Sequence, residues 1–287
     1  MSEFLATQRR ILKDWKFNLN PDKGGIRVPE WAFTPDWWNI TFLRGLIKLP
    51  QWRQKGITAW EVGVGSGVNI GILRNYASDA SFYFSDYNDM CVPLALENIQ
   101  RLGRTDARLH PLCGAWDLVT PPAQNGSPLP KVHVVFGCIP QVPTDMDLTV
   151  KDRFAHYYNP QAYPEAKSHA LGLGLNEALL LRAKRVLLPK GTVVLNLGGR
   201  PGRNRLENLF TNAGYRPRIL FQDVIPQHAG TSLSSLVRLE HVGHDSFEFF
   251  GDKKCKEPIN AREAETRRTK GKTTYHRIYV IAGTLAE

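Results

Sequence analysis

The stretch Glu61-Val-Gly-Val-Gly-Ser-Gly67 joins a short apolar run to a segment with a helical pattern. The run Ile57 to Val64, ITAWEVGV, predicts a buried strand, and Val68 to Tyr76 predicts the helix that follows. Glycines at such a junction let the backbone turn tightly and come close to a ligand. The spacing is G-x-G-x-G, which differs from the G-x-G-x-x-G of dinucleotide folds. No Lys-Ser/Thr pair follows, which excludes a phosphate-binding P-loop.

Strand and helix patterns alternate along the chain, which is typical of a mostly parallel sheet with helices on both faces. The later strands lie closer together in the sequence, so we expect an antiparallel edge. No repeat and no flexible linker interrupts the pattern, which favours one domain with an N-terminal extension. The further predicted strands are Ala80–Ser85, Ala107–Leu112, Lys131–Gly137, Gly191–Leu197, Tyr215–Val224, Leu233–Val242 and His276–Ala282. The further predicted helices are Cys91–Leu102, His169–Leu187 and Leu206–Ala213.

The segment before the glycine stretch is rich in aromatic residues and predicts a helix. Thr34 resembles an N-cap, and Pro35 suits the first helical position. Apolar residues from Trp38 onward then recur at a helical spacing. We expect residues 1–50 to form a helical extension that acts as a substrate lid, and residues 51–287 to form the main domain.

The 287-residue chain has a net charge of +10, and its densest basic stretch is Arg262 to Arg277. Such a stretch fits a nucleic-acid partner, a solvated surface or anionic small molecules. The four cysteines form no C-x-x-C pair, so we expect reduced thiols, a cytoplasmic location and no metal. The sequence shows neither a signal peptide nor an apolar run of membrane-spanning length, and we expect no membrane association.

An acidic residue, Asp86, ends the second predicted strand about 20 residues beyond the glycines, where a carboxylate can hold ribose hydroxyls. Together with Glu61 and the glycines, it resembles the signature of class I S-adenosylmethionine-dependent methyltransferases. The resemblance covers roughly Ile57 to Leu197. It implies a Rossmann-like α/β fold with a mostly parallel seven-stranded sheet, helices on both faces and an antiparallel edge. A nucleotide or NAD site on a similar sheet is the alternative.

The same resemblance implies S-adenosylmethionine as the cofactor and gives each of its parts to a different segment. The glycine loop, oriented by Glu61, faces the methionine part, and Asp86 binds the ribose. Tyr87 packs against the adenine, and the loop Ala115-Trp116-Asp117 flanks it. The implied cofactor-binding residues are Glu61, Gly63, Gly65, Gly67, Asp86, Tyr87, Ala115, Trp116, Gly137 and Cys138.

The fourth predicted strand ends in Gly137-Cys-Ile-Pro-Gln141. Methyltransferases that act on amines and amides carry Asn/Asp-Pro-Pro-aromatic at this place. The Asn or Asp and the aromatic residue are both missing here, which counts against methylation of nucleic-acid or protein nitrogen. Cys138 has no partner nearby in the sequence, and we expect a buried thiol rather than a nucleophile.

Several stretches together resemble methionine S-methyltransferases, both the methyltransferase portion of the plant enzymes and compact bacterial forms. They are GCIPQV, Leu171–Leu175, Asn196–Gly202, Phe247–Phe250 and the WNITFLRGL that begins at Trp38. The resemblance implies methyl transfer from S-adenosylmethionine to the thioether sulfur of L-methionine. The products would be S-methylmethionine and S-adenosylhomocysteine, and the step can feed dimethylsulfoniopropionate synthesis. The alternatives are an N-methyltransferase acting on nucleic acid or protein, and a cofactor-binding protein without catalysis.

A thioether sulfur carries no proton and has a free lone pair, so this reaction needs no general base. We therefore expect alignment and desolvation to drive it, with no catalytic residue. Arg200 suits the methionine carboxylate, and a fourth-strand carbonyl or Asp36 suits the ammonium. The oligomeric state stays open, with a homo-oligomer allowed. The expected substrate-binding residues are Ile139, Pro140, Gln141, Tyr157, Tyr158, Arg200, Trp38 and Asp36.

Overall fold

Alternating strands and helices make up most of the protein. The computed structural model describes residues 2–16, 22, 24–102, 107–115, 117–123, 127–143, 159–243 and 246–286. Within these ranges the strands are β1 (Thr58–Val62), β2 (Ser81–Ser85), β3 (Arg108–Leu112), β4 (Val132–Gly137), β5 (Leu187–Gly198), β6 (Tyr215–Pro226), β7 (Phe249–Phe250), β8 (Pro258–Ile259) and β9 (Tyr275–Leu285). The helices are α1 (Ser2–Trp15), α2 (Trp37–Leu46), α3 (Val68–Leu73), α4 (Cys91–Arg101), α5 (Gly174–Ala183), α6 (Arg203–Asn212), α7 (Ser234–Val242) and α8 (Ala261–Thr269).

All described strands belong to one nine-stranded sheet. Strands β3, β2, β1, β4 and β5 lie side by side and run parallel. Strand β9 runs antiparallel between β5 and β6, so the antiparallel strand lies one position inside the edge for which it was predicted. The short hairpin of β7 and β8 extends the sheet beside the start of β9. The seven long strands thus form the predicted mostly parallel sheet, and the hairpin brings the total to nine.

Helices cover both faces of the sheet, as the alternating pattern predicts. Helices α5 and α6 pack on one face, and α2, α3 and α4 pack on the other. Helix α2 comes so close to β9 that a Cβ on Gly45 would lie 2.4 Å from Val280. Further residues of the N-terminal segment, Ile11 and Ile26 among them, pack against α3. The described part of the first 50 residues therefore contributes side chains to the core beside the sheet.

Three local predictions need correction. Helix α2 is capped by Asp36 rather than Thr34, because the Asp36 side chain accepts from the backbone of Trp38 while Asn39 completes a capping box. The strand predicted for Leu233–Val242 is wrong, since this segment forms helix α7. The structure buries Leu233 and Leu236, which are three residues apart, as in a helix. The apolar pattern of so short a segment fits a strand as well as a helix, which explains the error. The long helix predicted from His169 begins only at Gly174 and ends at Ala183.

The turn between β1 and α3 depends on glycine at its last position. Gly67 adopts a φ of 80° at the start of α3. A Cβ there would lie 2.9 Å from the backbone oxygen of Ala95 in α4, closer than real Cβ atoms come to such an atom. Glycine therefore satisfies both the left-handed backbone and the close packing of α3 on α4.

We expect Gly67→Ala to lower the free energy of unfolding by about 2–4 kcal/mol, because strain at positive φ adds to the overlap with α4. Gly56→Ala is the matched control, since Gly56 also has a positive φ, of 64°, but no atom lies within 4 Å of its Cβ position. That control should lose only about 1–2 kcal/mol. Chemical denaturation of both variants measures the difference, and equal losses would contradict the packing argument.

Candidate functional site

A cavity of about 770 Å³ opens at the edge of the sheet where the parallel strands end. Ligands of open α/β sheets bind at this edge, because the strand ends and their loops converge there. One half, the glycine-loop half, is lined by Gly63, Gly65, Asn69, Asp86, Asn88 and Leu118. The other, the Arg200 half, is lined by Trp38, Gln141, Arg200, Gln227, Phe247 and His276.

The glycine loop is fixed to the end of β2 by backbone hydrogen bonds. The amides of Gly63 and Val64 donate to the carbonyl of Ser85 at 3.0 and 3.1 Å. The Gly65 amide donates to Asp86 Oδ2 at 2.9 Å, and the Asn88 amide donates to Asp86 Oδ1 at 3.0 Å. Burial raises the pKa of Asp86 above its usual range. Asp86 thus holds the loop in place while it lines the cavity.

Glu61 lies behind the loop and is not among the described residues that line the cavity. It is fully buried, and its Oε1 accepts from Asn69 Nδ2 at 2.7 Å. Burial raises the pKa of Glu61 to about 8. The lining residues Asn69 and Asn88 each keep one buried amide atom, Oδ1 and Nδ2 respectively, without a partner among the described residues. Buried polar atoms are normally paired, so this half offers one acceptor and one donor to a polar ligand.

The loop expected beside an adenine is described only in part. Trp116 lies outside the described residues, and Ala115 is buried but does not line the cavity in the part that is described. Asp117 is buried and accepts from Thr120 and Arg182, so its carboxylate is already bound. The exposed ring of Tyr87 lines the cavity, and its expected contact with adenine stays a prediction. Leu118 also lines it, although no sequence motif pointed to that residue.

The loops after β4 and β5 are held together by side-chain amides. Gln141 Nε2 donates to the Gly198 carbonyl at 3.2 Å, and the Gly198 amide donates to Gln141 Oε1 at 2.9 Å. Asn176 Nδ2 donates to the Pro140 carbonyl at 3.2 Å. The cavity is lined by Ile139, Pro140 and Gln141. The Gln141 side-chain amide and the Pro140 carbonyl, however, already hydrogen-bond to protein groups. Behind these loops the ends of β4 and β1 pack closely, since a Cβ added to Gly137 would lie 3.0 Å from the Val62 carbonyl oxygen.

Arg200 follows β5 and points a cation at the other half of the cavity. It is partly buried, and within the described ranges its guanidinium has no hydrogen bond and no acidic partner. Burial lowers the pKa of Arg200 to about 10, so it stays charged at neutral pH. Trp38 closes this half over Gly198, where an added Cβ would lie 2.9 Å from the indole. Asp36 lines the same half next to its capping contact.

Two residues that were not predicted, His276 and Gln227, line this half, and two that were predicted cannot be placed. Tyr157 and Tyr158 lie outside the described residues, so their expected role stays a prediction. His276 and Gln227 line the cavity, although sequence reasoning did not single them out. A single histidine in an apolar strand carries no motif, and only the pairing of β9 with β6 reveals its position.

Outside the cavity, part of the basic stretch is paired with glutamates. Arg267 pairs with Glu257 and Glu263, and Arg268 pairs with Glu265. In the described part of the chain, no three His, Cys, Asp or Glu side chains gather as metal ligands would. None of the described helices has the length and apolar character that crossing a bilayer requires.

The Cys138 thiol lines the cavity, accepts from Asn196 Nδ2 at 3.3 Å, and has its pKa raised to about 12 by burial. Because the thiolate is the reactive form, we expect iodoacetamide at pH 8 to modify exposed Cys113 at least about 100-fold faster than Cys138. Peptide mapping by mass spectrometry over time measures both rates. Equal rates would show that Cys138 is an activated nucleophile.

The chain resembles known proteins by sequence, although no protein-family model matches it. A methionine S-methyltransferase from Zea mays is 30% identical over 264 residues, which are 83% of this chain and 24% of the relative. One from Hordeum vulgare is 28% identical over 90% of this chain and 25% of the relative, and one from Arabidopsis thaliana is 29% identical over 81% and 23%. The chain thus spans about a quarter of the length of these curated relatives.

Solved methyltransferase structures also resemble the chain. A methyltransferase from Pyrococcus furiosus matches with a TM-score of 0.48 and 14% identity, covering 97% of this chain and 96% of that one. A precorrin-6y C5,15-methyltransferase from Geobacter metallireducens matches with a TM-score of 0.43 and 12% identity, covering 90% and 93%. The mostly parallel sheet described above and the similarity by sequence to a portion of the plant methionine S-methyltransferases confirm the resemblance that the motifs indicated: the chain has the Rossmann-like fold of class I S-adenosylmethionine-dependent methyltransferases.

Proposed function

We propose that the chain transfers a methyl group from S-adenosylmethionine to the thioether sulfur of L-methionine. The products are S-methylmethionine and S-adenosylhomocysteine. The observation that carries the proposal is one continuous cavity that joins a glycine loop to a guanidinium without an acidic partner among the described residues. Similarity to methionine S-methyltransferases supports the choice of acceptor.

The glycine-loop half fits the donor. The buried Asn69 Oδ1 suits an ammonium group, and the buried Asn88 Nδ2 suits a hydroxyl or ring acceptor. Asp86 accepts from the backbone amides of Gly65, Tyr87 and Asn88, and because a carboxylate has about four lone-pair sites, one stays available for a ribose hydroxyl. Tyr87 and Leu118 offer an aromatic and an apolar surface for a purine. When bound, S-adenosylmethionine supplies a methyl group activated by a sulfonium.

The Arg200 half fits the acceptor. A partly buried guanidinium without a partner is costly, and a ligand carboxylate relieves that cost through paired, charge-assisted hydrogen bonds. Trp38 and Phe247 give this half apolar walls suited to a thioether side chain. The start of α2 forms part of the wall, which supports a role for residues 1–50 in covering the acceptor.

The chemistry asks the protein for alignment rather than proton transfer. A lone pair of the acceptor sulfur forms the new carbon–sulfur bond while the carbon–sulfur bond of the donor breaks. The positive charge passes between the sulfurs, and no proton is released. The protein's part is to hold both sulfurs in line and exclude water, with the Trp38 ring face beside the cationic charge. The Cys138 thiol, protonated because burial raises its pKa, takes no part.

An N-methyltransferase acting on nucleic acid or protein has less support. The segment after β4 lacks the Asn or Asp that would hold an amine, and Arg267 and Arg268 of α8 pair with glutamates. Use of the product in dimethylsulfoniopropionate synthesis rests on the family resemblance alone.

Incubation with methyl-labelled S-adenosylmethionine and L-methionine should give labelled S-methylmethionine by mass spectrometry. The acceptor sulfur needs no activation, so turnover should not require added metal. Parallel incubations replace methionine with nucleic acid or with a protein mixture. Label in nucleic acid or protein without labelled S-methylmethionine would overturn the proposal.

Replacing Arg200 tests the carboxylate site. We expect Arg200→Ala to raise the KM for methionine on the order of 10–100-fold, the loss typical of a charge-assisted hydrogen bond. Affinity for S-adenosylhomocysteine, measured by calorimetry, should change little, because the donor lies in the other half. The exposed Arg216 on β6 gives a matched control, Arg216→Ala, that should leave KM unchanged. An unchanged KM in the Arg200 variant would refute the assignment.

A further inference from the structure

We propose that His276 and Gln227 form the subsite for the α-ammonium group of the acceptor, next to Arg200. This inference rests on the proposed function and names how the same site recognises a free α-amino acid. It replaces the earlier expectation that a fourth-strand carbonyl or Asp36 binds the ammonium.

The strand pairing brings the two side chains to the same face. Ile225 of β6 pairs with His276 of β9, and two residues further the Gln227 amide donates to the Thr274 carbonyl at 2.8 Å. Directly paired residues share a face of the sheet, and so do alternate residues of one strand. Gln227 and His276 are therefore diagonal neighbours on one face, and both line the cavity.

The hydrogen bonding of His276 fixes its tautomer. Its Nδ1 lies 2.8 Å from the Arg277 carbonyl, which only accepts, so Nδ1 carries the proton. Nε2 is then a pure acceptor, and no described residue donates to it. Burial, and to a smaller extent the neighbouring Arg200 cation, lowers the pKa of His276 to about 3, so the ring is neutral. The imidazole packs against Trp38 with ring centroids 5.8 Å apart.

Gln227 supplies a second acceptor of the same kind. The side chain is buried, with 8% of its surface exposed, and its Oε1 has no partner among the described residues. A buried acceptor left unpaired costs free energy, which a ligand donor recovers. An ammonium group has three donors and no acceptor, so it can satisfy both atoms at once.

Two neutral acceptors suit this position better than a carboxylate would. A carboxylate beside Arg200 would pair with the guanidinium and compete with the carboxylate of the substrate. Neutral acceptors leave Arg200 available and still recognise the ammonium. A thioether substrate without an amine would leave His276 Nε2 and Gln227 Oε1 without a hydrogen-bond donor. A polar site rejects such analogues in this way.

The test compares L-methionine with 4-(methylthio)butanoate, which has the same thioether, chain length and carboxylate but no amine. His276→Phe keeps a ring beside Trp38 and removes the acceptor. We expect this variant to lower kcat/KM for methionine on the order of 10–100-fold and to change that for the amine-free acid less than about 3-fold. His276→Gln, which restores an acceptor, should recover most of the loss. Where the amine-free acid turns over too slowly, its inhibition constant gives the same comparison.

Gln227→Met, of similar volume, is the second variant. It should reduce the ratio of kcat/KM for methionine to kcat/KM for the amine-free acid, and it tests the inference even where His276→Phe folds poorly. Binding of S-adenosylhomocysteine should stay unchanged in all variants. An equal loss of kcat/KM for methionine and for the amine-free acid would overturn the inference in favour of ordered water at His276 Nε2 and Gln227 Oε1. Weakened S-adenosylhomocysteine binding would overturn it in favour of the donor's own ammonium. Absence of S-methylmethionine with the unmodified protein would instead refute the proposed function.

Discussion

The hydrogen bonds that the glycine loop donates to the end of β2, two to the Ser85 carbonyl and one to the Asp86 carboxylate, are the constraint on which the rest of the site depends. They fix the turn between β1 and α3 against the end of β2. With the turn fixed, the left-handed Gly67 starts α3 in close contact with α4, and the loop leaves open space above the strand ends. A carboxylate in this role can serve the fold and still face a ligand, because its two oxygens together have about four lone-pair sites and three backbone amides use only three of them.

The other half of the cavity sorts its polar groups by whether they have partners. Gln141 and Asn176 are satisfied by backbone groups, so they brace the loops that follow β4 and β5. Arg200, His276 and Gln227 line the same space, and each keeps a charge or an acceptor that no described residue satisfies. Folding has already met the cost of the first set, while the second set gains only when a ligand binds. That contrast is the physical basis for placing an α-amino acid there.

The sequence predicted the parts of this arrangement that depend on local pattern. The glycine loop, Asp86 and the strand endings follow from residue type and spacing, and Arg200 follows from a forked cation in a glycine-rich loop. His276, Gln227 and Asn176 could not be found this way, because antiparallel β9 and the helix packing bring single polar residues together from distant segments. The error at α7 has a similar origin, since burial beneath β7 and β8 decided a short pattern that fits two periods.

A crystal structure with S-adenosylhomocysteine and L-methionine tests the central claim most directly. The account predicts S-adenosylhomocysteine in the glycine-loop half, with the methionine carboxylate on Arg200 and its thioether facing the sulfur of S-adenosylhomocysteine. Methionine bound with its carboxylate away from Arg200, or with its sulfur turned away from that of S-adenosylhomocysteine, would contradict the account.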